Sequence, residues 1–449
     1  MEQDNKQLIT EILKSFKIGI ESIAEYKGAT LTLYEIKPEM GVKISKIRNL
    51  KDEIAVGLAV PSVRIIAPMD NGKIGIEVPN KEKKVVPIAE MFNSWFFQNT
   101  GAELPLAIGK TITGEAFVSD LAEMPHLLVA GATGQGKSVC LNTLIMSLLQ
   151  KKSPDELKLV LIDPKQVELS LYANLENSYL ACPVITETEE AERTLNSICT
   201  LMDERYELLS SAGVRNIQEY NNKLALSGSP TEKLPYVVVV IDEYGDLILT
   251  SDTKLERTIC RIAQKARAVG IHMIIATQRP DTKIVTGNIK ANFPTRIAFR
   301  TTTGIDSRVV LDQMGAEKLS GKGDMILFNG NGTTRMQCAY ATIGDVTALC
   351  ESLADKYDNC PEFSLPLTSD EKEELHRQAV MEKYREEERK KQQASIDAEK
   401  RMEEWRKERE STKEERERNK KWLFQQLYGH PDKIHLFVPK VSKPHDGSK

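Results

Sequence analysis

The chain has 449 residues, 41% of them hydrophobic, which is enough for two or three domains with a substantial core. Its 61 Lys and Arg residues nearly balance 65 Asp and Glu residues, and the net charge of -4 excludes a globally basic nucleic-acid protein but not a local basic surface. The seven cysteines form neither a C-x-x-C pair nor a cluster with zinc spacing, which favours free thiols in a reducing compartment.

The N-terminus is polar and lacks the apolar segment of a signal peptide. Apolar positions at helical spacing predict a helix over residues 6–26, and strand-like pieces follow at 30–36, 64–66 and 73–78. We expect a small α+β domain over residues 1–100, without a catalytic constellation. No apolar run approaches the ~20 residues that span a bilayer. We therefore expect no membrane segment in this chain and a cytoplasmic protein.

Residues 101–360 show a different pattern, in which short apolar strands alternate with helices. The predicted strands are Leu127–Ala130, Lys158–Ile162, Val237–Ile241, Met273–Ala276, Arg296–Arg300 and Asp324–Phe328. Predicted helices include Glu189–Ser210 and Leu255–Val269. Such a pattern is typical of an α/β domain with a mostly parallel sheet that helices cover on both faces. Ligands then bind beyond the carboxyl ends of the strands, where we expect every candidate residue to lie.

One of these strands runs into a glycine-rich loop that fits the phosphate-binding pattern G-x-x-x-x-G-K-[ST]. The loop reads Gly131-Ala132-Thr133-Gly134-Gln135-Gly136-Lys137-Ser138. Glycines permit positive φ angles, so the backbone N–H groups and the start of the next helix can surround a phosphate. We expect Lys137 to reach the β- and γ-phosphates and Ser138 to bind Mg²⁺.

Two further strands end in polar residues suited to nucleotide hydrolysis. Asp242 and Glu243 follow an apolar strand, which predicts that Asp242 holds Mg²⁺ and that Glu243 polarises the attacking water. Gln278 follows another strand and is a candidate for hydrogen bonding to the γ-phosphate or the water. Arg267, at the end of a predicted helix, either enters the site of a neighbouring subunit or forms a surface salt bridge.

Basic residues recur after the last of these strands and could line a pore that follows a phosphate backbone. They are Arg279, Lys283, Lys290, Arg296, Arg300 and Arg308. Aromatic residues are not interleaved with them, so sequence-independent contact with duplex DNA fits better than single-strand binding.

The C-terminal part is highly charged. Residues 361–428 have sparse apolar positions and no sustained heptads, so we expect a solvated helical extension rather than a coiled coil. We expect residues 429–449 to be disordered.

Taken together, these motifs resemble the FtsK/SpoIIIE family of DNA translocases over roughly residues 5–345. The segments that carry the resemblance are Glu77–Asn80, Met124–Gly131, Ile162–Lys165, Glu168–Ser170, Gly213–Asn216, Leu234–Tyr236, Asp242–Glu243, Gln264–Arg267, Ala276–Pro280, Ile289–Asn292, Pro294–Phe299 and Ile305–Arg308. The resemblance implies a RecA-like P-loop NTPase motor that forms a hexameric ring around double-stranded DNA. Together with the residue patterns, we expect this α/β motor to follow a small N-terminal α+β domain and to precede a charged C-terminal helix, which departs from the family's pattern.

Individual positions also match the family. Lys137, Asp242 and Gln278 match its nucleotide-binding positions, and Arg267 matches its trans-acting arginine. The DNA contacts of its pore loops match Arg279, Lys290 and Arg308. Two familiar parts of many members have no counterpart here, namely membrane-spanning helices and a C-terminal winged-helix domain.

The resulting hypothesis is an ATP-dependent double-stranded DNA translocase that serves chromosome segregation or mobile-element DNA transfer. The alternatives are a conjugative coupling ATPase that passes on single-stranded DNA and a protein-secretion ATPase of the same superfamily. Tandem motor domains would favour secretion, and this chain shows one motor pattern.

Overall fold

The computed structural model describes residues 4–428, apart from short gaps at 68, 70–71, 83, 228–232, 252, 331, 358–359 and 361–362. The chain divides into one compact unit that ends at Thr368 and a second that begins at Ser369. The tail predicted to be disordered, 429–449, lies outside the described residues.

The N-terminal domain packs three short helices against a four-stranded antiparallel sheet of order β1-β2-β4-β3. Its elements are α1 (Asn5–Ser15), β1 (Ile20–Lys27), β2 (Leu31–Pro38), α2 (Ile44–Asn49), α3 (Lys51–Gly57), β3 (Arg64–Ile66) and β4 (Ile74–Pro79). The core contains Ile9 and Leu13 of α1, Ile54 of α3, and Ile36 and Ile76 from the sheet. Strands β2, β3 and β4 confirm the three strands predicted from the sequence.

The helix predicted over residues 6–26 ends early. Lys17 adopts a positive φ of 60°, and the Ile18 N–H donates to the carbonyl of Leu13, which closes the helix after Ser15. Ile20 begins strand β1, where Ile23 is the partner of Ile36 on β2. Ile20 therefore continued the helical spacing by coincidence, and the second half of the prediction is wrong.

The larger part of the first unit is built around a second sheet. Its strands are β5 (Val86–Pro87), β6 (Pro105–Thr111), β7 (Ala116–Asp120), β8 (His126–Ala130), β9 (Leu157–Ile162), β10 (Tyr236–Ile241), β11 (Ile271–Thr277), β12 (Thr295–Phe299), β13 (Asp324–Phe328) and β14 (Thr333–Tyr340). Its helices are α4 (Ile88–Phe92), α5 (Trp95–Gln98), α6 (Lys137–Lys151), α7 (Thr188–Ala212), α8 (Ile217–Ser227), α9 (Tyr244–Thr250), α10 (Thr253–Lys265), α11 (Gly287–Asn292), α12 (Gly304–Leu311) and α13 (Ile343–Lys356). Short 3₁₀ turns lie at Ser170–Leu175, Ala266–Val269 and Ala316–Lys318.

The strand order is β7-β6-β14-β13-β12-β8-β11-β10-β9, with β5 beside β14. The five strands from β12 to β9 are parallel to one another, as predicted. From β12 to β7 each neighbouring pair is antiparallel, so the parallel arrangement covers only half of the sheet. Helices α6 and α13 cover one face, whereas α7, α10 and α12 cover the other.

All seven cysteines are free, as the sequence predicted. Cys140 in the first turn of α6 and Cys338 in β14 are almost fully buried. A hydrogen bond with the Cys140 thiol, together with burial, raises the pKa of Cys338 well above its usual value.

The second unit contains α14 (Ser369–Tyr428), a helix of 60 residues. Its described side chains are almost all exposed, and pairs such as Arg377–Glu373 and Lys407–Glu403 lie one turn apart. This agrees with the predicted solvated, charged helix. Throughout the described part of the chain, no helix combines the length and apolar character needed to cross a membrane.

Candidate functional site

The glycine-rich loop connects β8 to α6 at the carboxyl edge of the parallel strands. Gly134 and Gly136 have φ angles of 75° and 121°, conformations that favour glycine. Gly131 is required for a different reason, because a Cβ there would lie 2.5 Å from the Cβ of Phe299. The Ala132 N–H donates to the carbonyl of Arg300 over 3.0 Å, which ties the loop to the end of β12.

Lys137 and Asp242 form a buried ion pair beneath the loop. Their side chains are 3% and 1% exposed, and the Lys137 Nζ donates to Asp242 Oδ1 over 2.8 Å and to the Asp242 carbonyl over 2.6 Å. Burial raises the pKa of Asp242, and the neighbouring ammonium only partly opposes this effect. An ammonium has three protons, so one remains for a phosphate oxygen.

Glu243 is held in one orientation from several sides. It is 1% exposed, and its Oε1 accepts hydrogen bonds from Thr277 Oγ1 over 2.8 Å and from the Gln278 N–H over 3.2 Å. Its Oε2 accepts from the Gln278 N–H over 3.0 Å and lies 3.3 Å from Lys165 Nζ. The end of β11 therefore fixes the carboxylate that follows β10.

Gln278 links this group to the loop. Its Oε1 accepts a hydrogen bond from Thr133 Oγ1 over 2.9 Å. The structure thus brings together four of the predicted residues, Lys137, Asp242, Glu243 and Gln278, at the ends of three neighbouring elements.

Lys165 was not assigned a role from the sequence. It follows β9, next to β10 in the sheet, and its Nζ lies 3.4 Å from Asp246 as well as 3.3 Å from Glu243. Burial acts to lower the pKa of Lys165, but the two carboxylates outweigh it and the net pKa is raised. Asp163, 0% exposed, orders this turn by accepting the N–H groups of residues 167–169. The sequence signal that could have identified Lys165 was its position shortly after the apolar strand β9.

The donor set at the loop fits Mg²⁺. Ser138 offers a hydroxyl that makes no hydrogen bond within the described residues, and Asp242 offers a carboxylate. Hard oxygen donors of this kind suit Mg²⁺, which keeps several waters of its own. No cluster of three or more carboxylate, His or Cys ligands exists among the described residues.

Arg267 does not lie with these residues. It is exposed on the 3₁₀ turn before β11, at the amino edge of the parallel strands, whereas the loop lies at the carboxyl edge. The expectation that every candidate lies beyond the carboxyl ends is therefore wrong for Arg267. Two residues of α7 hold the segment, since Arg205 donates to the Val269 carbonyl over 2.8 Å and the Tyr206 hydroxyl donates to the Lys265 carbonyl over 2.5 Å.

The predicted DNA contacts do not form one cluster within the chain. Arg279 follows β11 at the loop edge, is 63% exposed and lies 3.9 Å from Asp246. Lys290 on α11 lies 2.6 Å from Asp312, and Arg308 on α12 is exposed.

Arg296 was expected on this basic surface, and that expectation is wrong. It is 7% exposed in β12, where it donates to the carbonyl of Val310 over 2.9 Å and pairs with Asp312 over 2.6 Å. Lys290 shares the same carboxylate, and the two cations lower the pKa of Asp312 against the opposing effect of its burial.

Comparison with known families matches two parts of the chain. Residues 87–282 match the FtsK/SpoIIIE family, and residues 1–80 match the FtsK alpha domain. Together the two matches cover more than half of the 449 residues.

Curated relatives carry translocase names. The chain is 47% identical over 339 residues to a DNA translocase FtsK of Treponema pallidum, which covers 75% of this chain and 42% of the relative. It is 47% identical over 332 residues to the DNA translocase SftA of Bacillus subtilis, with 74% and 35% covered. The chain therefore spans less than half the length of these relatives.

Solved structures agree with the fold. The conjugation coupling protein TcpA of pCW3, determined with ATPγS, superposes with a TM-score of 0.56 at 25% identity, over 79% of this chain and 99% of that one. The cytoplasmic domain of the type VII secretion ATPase EccC from Thermomonospora curvata gives 0.51 at 27% identity, over 58% and 32%. The large sheet is that of a RecA-like P-loop NTPase motor.

Proposed function

The chain belongs to the FtsK/SpoIIIE family, and from this premise we propose that it is an ATP-driven motor that moves double-stranded DNA. The observation that carries the proposal is the group Lys137, Asp242, Glu243 and Gln278, held together at the glycine loop. ATP hydrolysis needs a phosphate cradle, an acid that holds the metal and a fixed carboxylate near the attacking water, and this group offers all three.

In the proposed mechanism, the loop N–H groups and the start of α6 bind the ATP phosphates. Lys137 donates a hydrogen bond from its remaining N–H to a phosphate oxygen. Ser138 and Asp242 would hold Mg²⁺, which supplies neutralising charge at the phosphates. Glu243 orients the attacking water, and Gln278 connects the end of β11 to the loop through Thr133.

The position of Arg267 supports completion of the site by a second subunit. An exposed arginine at the amino edge serves a site on a neighbour better than its own. We propose a ring, hexameric as in the family, in which Arg267 stabilises the charge that develops on the neighbour's γ-phosphate.

The DNA track in this proposal uses Arg279, Lys290 and Arg308. Arg279 lies next to the nucleotide group through Asp246 and Lys165, so hydrolysis at Glu243 acts close to one DNA contact. We also propose that residues 1–100, 101–360 and 361–428 act as N-terminal domain, motor and extension, in a cytoplasmic setting.

A second candidate is a coupling or secretion ATPase. The match over 99% of the conjugation coupling protein TcpA favours the coupling role. For this candidate we propose single-stranded DNA as the substrate. A competition between single- and double-stranded DNA for stimulation of ATPase activity separates this candidate from the main proposal.

The test is steady-state ATPase activity at low salt with and without duplex DNA. We expect duplex DNA to stimulate turnover and Lys137→Ala to abolish it. The double variant Arg279→Ala with Lys290→Ala should retain basal turnover and lose the stimulation. As a matched control, Lys254→Ala with Arg261→Ala removes two exposed cations that also pair with carboxylates on α7 and should leave the stimulation intact.

Turnover that ignores duplex DNA would overturn the translocase proposal. Stronger stimulation by single strands would favour the coupling role instead. If the Arg279 and Lys290 double variant responded fully to DNA, the track assignment would be wrong while the ATPase assignment stood.

A further inference from the structure

A buried ion network joins the N-terminal domain to the large sheet. Glu77 lies in β4, in a segment that the proposed mechanism does not use, and is 1% exposed. Its Oε2 accepts a hydrogen bond from Arg335 in β14, 258 residues further along the chain. The Arg335 guanidinium also donates to both oxygens of Asp324 in β13, over 2.9 and 2.6 Å.

Asp324 passes this connection to a tight turn. Its Oδ2 accepts the N–H of Ser320 over 2.6 Å, and its own N–H donates to the carbonyl of Gly321 over 3.3 Å. The three residues before Asp324 have φ angles of 74°, 51° and 88°, the middle one being Lys322. A left-handed conformation at a lysine is unfavourable and persists only where neighbouring contacts impose it.

The turn lies directly against the glycine loop. The Gly323 N–H donates to the carbonyl of Gln135 over 2.9 Å. A Cβ on Gly136 would lie 3.0 Å from the Gly323 nitrogen, and a Cβ on Gly321 would lie 2.4 Å from Gln135 Oε1. Backbone packed this closely transmits displacement, because the Gly323 N–H binds the Gln135 carbonyl directly.

The chemistry of the network suits fixing the orientation of the N-terminal domain better than merely attaching it to the large sheet. A guanidinium between two carboxylates that are each 1% exposed must recover a large desolvation penalty, and an apolar contact would attach the domain more simply. The planar fork of Arg335 fixes the directions of both carboxylates at once. Within the described residues, Glu77 Oε1 has no partner, so Glu77 depends on Arg335 and on Arg64 at 3.5 Å.

We propose that Glu77 and Arg335 are positioning residues for the glycine loop. Through these two residues, the position of the N-terminal domain sets the affinity of the loop for nucleotide. The proposal rests on the proposed nucleotide-binding function and adds a route by which the N-terminal domain controls it.

The test compares Glu77→Gln with Glu35→Gln in the full chain. Glu35 lies in β2 of the same sheet and is a matched control, since its carboxylate also forms an ion pair, with Lys73. Equilibrium titration with a fluorescent ATP analogue and Mg²⁺ should show about tenfold weaker binding for Glu77→Gln, equivalent to ~1.4 kcal/mol. Glu35→Gln should bind as the unaltered chain does. Thermal unfolding curves of both variants show at which temperatures each remains folded, and the titrations are carried out below both transitions.

A double-mutant cycle tests the route. Asp324→Asn should weaken nucleotide binding, and adding Glu77→Gln to it should have little further effect, because both act through Arg335. If Glu77→Gln does not fold, Arg335→Lys replaces it, since a lysine keeps the charge but cannot hold both carboxylates in fixed directions.

Unchanged nucleotide affinity in folded Glu77→Gln, or in folded Arg335→Lys, would overturn the proposal, as would full additivity in the cycle. Lys137→Ala separates this failure from failure of the proposed function. If Lys137→Ala binds nucleotide as the unaltered chain does, the nucleotide site itself is misassigned; if only Lys137→Ala weakens binding, the site stands and the coupling does not.

Discussion

Buried charges dominate the candidate site at the level of single residues. Lys137, Asp242 and Glu243 are each no more than 3% exposed, and every one is satisfied by a specific neighbour. The sequence motifs predicted which residue types would meet at the loop. They could not predict that Lys137 also binds the carbonyl of Asp242, or that Lys165 reaches Glu243, because such contacts depend on how neighbouring strands align.

We expect Lys137→Ala to lower the stability of the protein as well as its activity. Removing the ammonium leaves Asp242 buried without its partner, a situation that costs about 3–5 kcal/mol. Adding Asp242→Asn removes the uncompensated charge and should recover part of the loss without restoring turnover. Urea unfolding at pH 7 measures the free energies of unfolding of both variants.

The pH dependence of the unfolding free energy of Lys137→Ala is the control for this prediction. Burial already raises the pKa of Asp242, and loss of the ammonium raises it further. Protonated Asp242 carries no charge, so the deficit of Lys137→Ala should shrink as the pH falls. A deficit that is the same at pH 7 and at pH 4.5 would contradict this assignment.

At the level of elements, local patterns predicted the parallel strands and β13 of the large sheet, but not its other antiparallel strands, β6, β7 and β14. Strands β8 to β12 are buried and mostly apolar, so their sequences identify them. Strand β14 contains buried Arg335 and Gln337, whose partners Glu77 and Lys322 lie outside the strand, so a periodicity analysis of the strand does not detect them. Strand β6 is interrupted at Gly109, where a Cβ would lie 2.1 Å from the carbonyl of Gln337.

The amino ends of β8 and β11 carry a pair of buried histidines that should make the protein sensitive to acid. Burial, with a smaller contribution from the neighbouring ring, lowers the pKa of His126 to about 3, and burial lowers that of His272 to about 4. Each remains neutral in the folded state while the unfolded chain takes up a proton below pH 6.5. The contribution of these two histidines to the free energy of unfolding is therefore complete above pH 6.5 and is lost as the pH falls.

Each histidine should contribute up to ~1.4 kcal/mol of lost unfolding free energy per pH unit between pH 6.5 and pH 4. Unfolding free energies measured across this range should show a shallower slope for His126→Gln with His272→Gln than for the unaltered chain. Above pH 7 the two profiles should run parallel. Equal slopes below pH 6 would show that these rings do not govern the acid response.

At the level of the whole molecule, the two edges of the parallel sheet carry complementary halves of the proposed catalytic machinery. The loop, Asp242 and Glu243 lie at one edge, and Arg267 lies at the other. The sequence identified both halves, but the residues alone could not assign Arg267 to a neighbour over a surface salt bridge. Only the topology separates it from its own loop.

Mixing two inactive variants tests this separation. The Arg267→Ala subunit keeps an intact Glu243, and the Glu243→Gln subunit keeps an intact Arg267. In a mixed ring, some interfaces therefore combine an intact Glu243 from one subunit with an intact Arg267 from its neighbour. We expect the mixture to hydrolyse ATP faster than either variant alone at the same total concentration. Mixing Glu243→Gln with Lys137→Ala is the control, because both defects then lie on the loop side. A mixture as inactive as its components would place Arg267 outside the neighbour's site.

The Cys140–Cys338 contact has a consequence for chemical labelling. Thiolates react with maleimides whereas thiols react slowly, and the raised pKa of Cys338 keeps it protonated. Its partner stands in the first turn of α6, directly after the glycine loop, so a reagent reaches the pair only when this helix parts from β14. The alkylation rate of these two native cysteines therefore reports how often α6 separates from β14, without an engineered label.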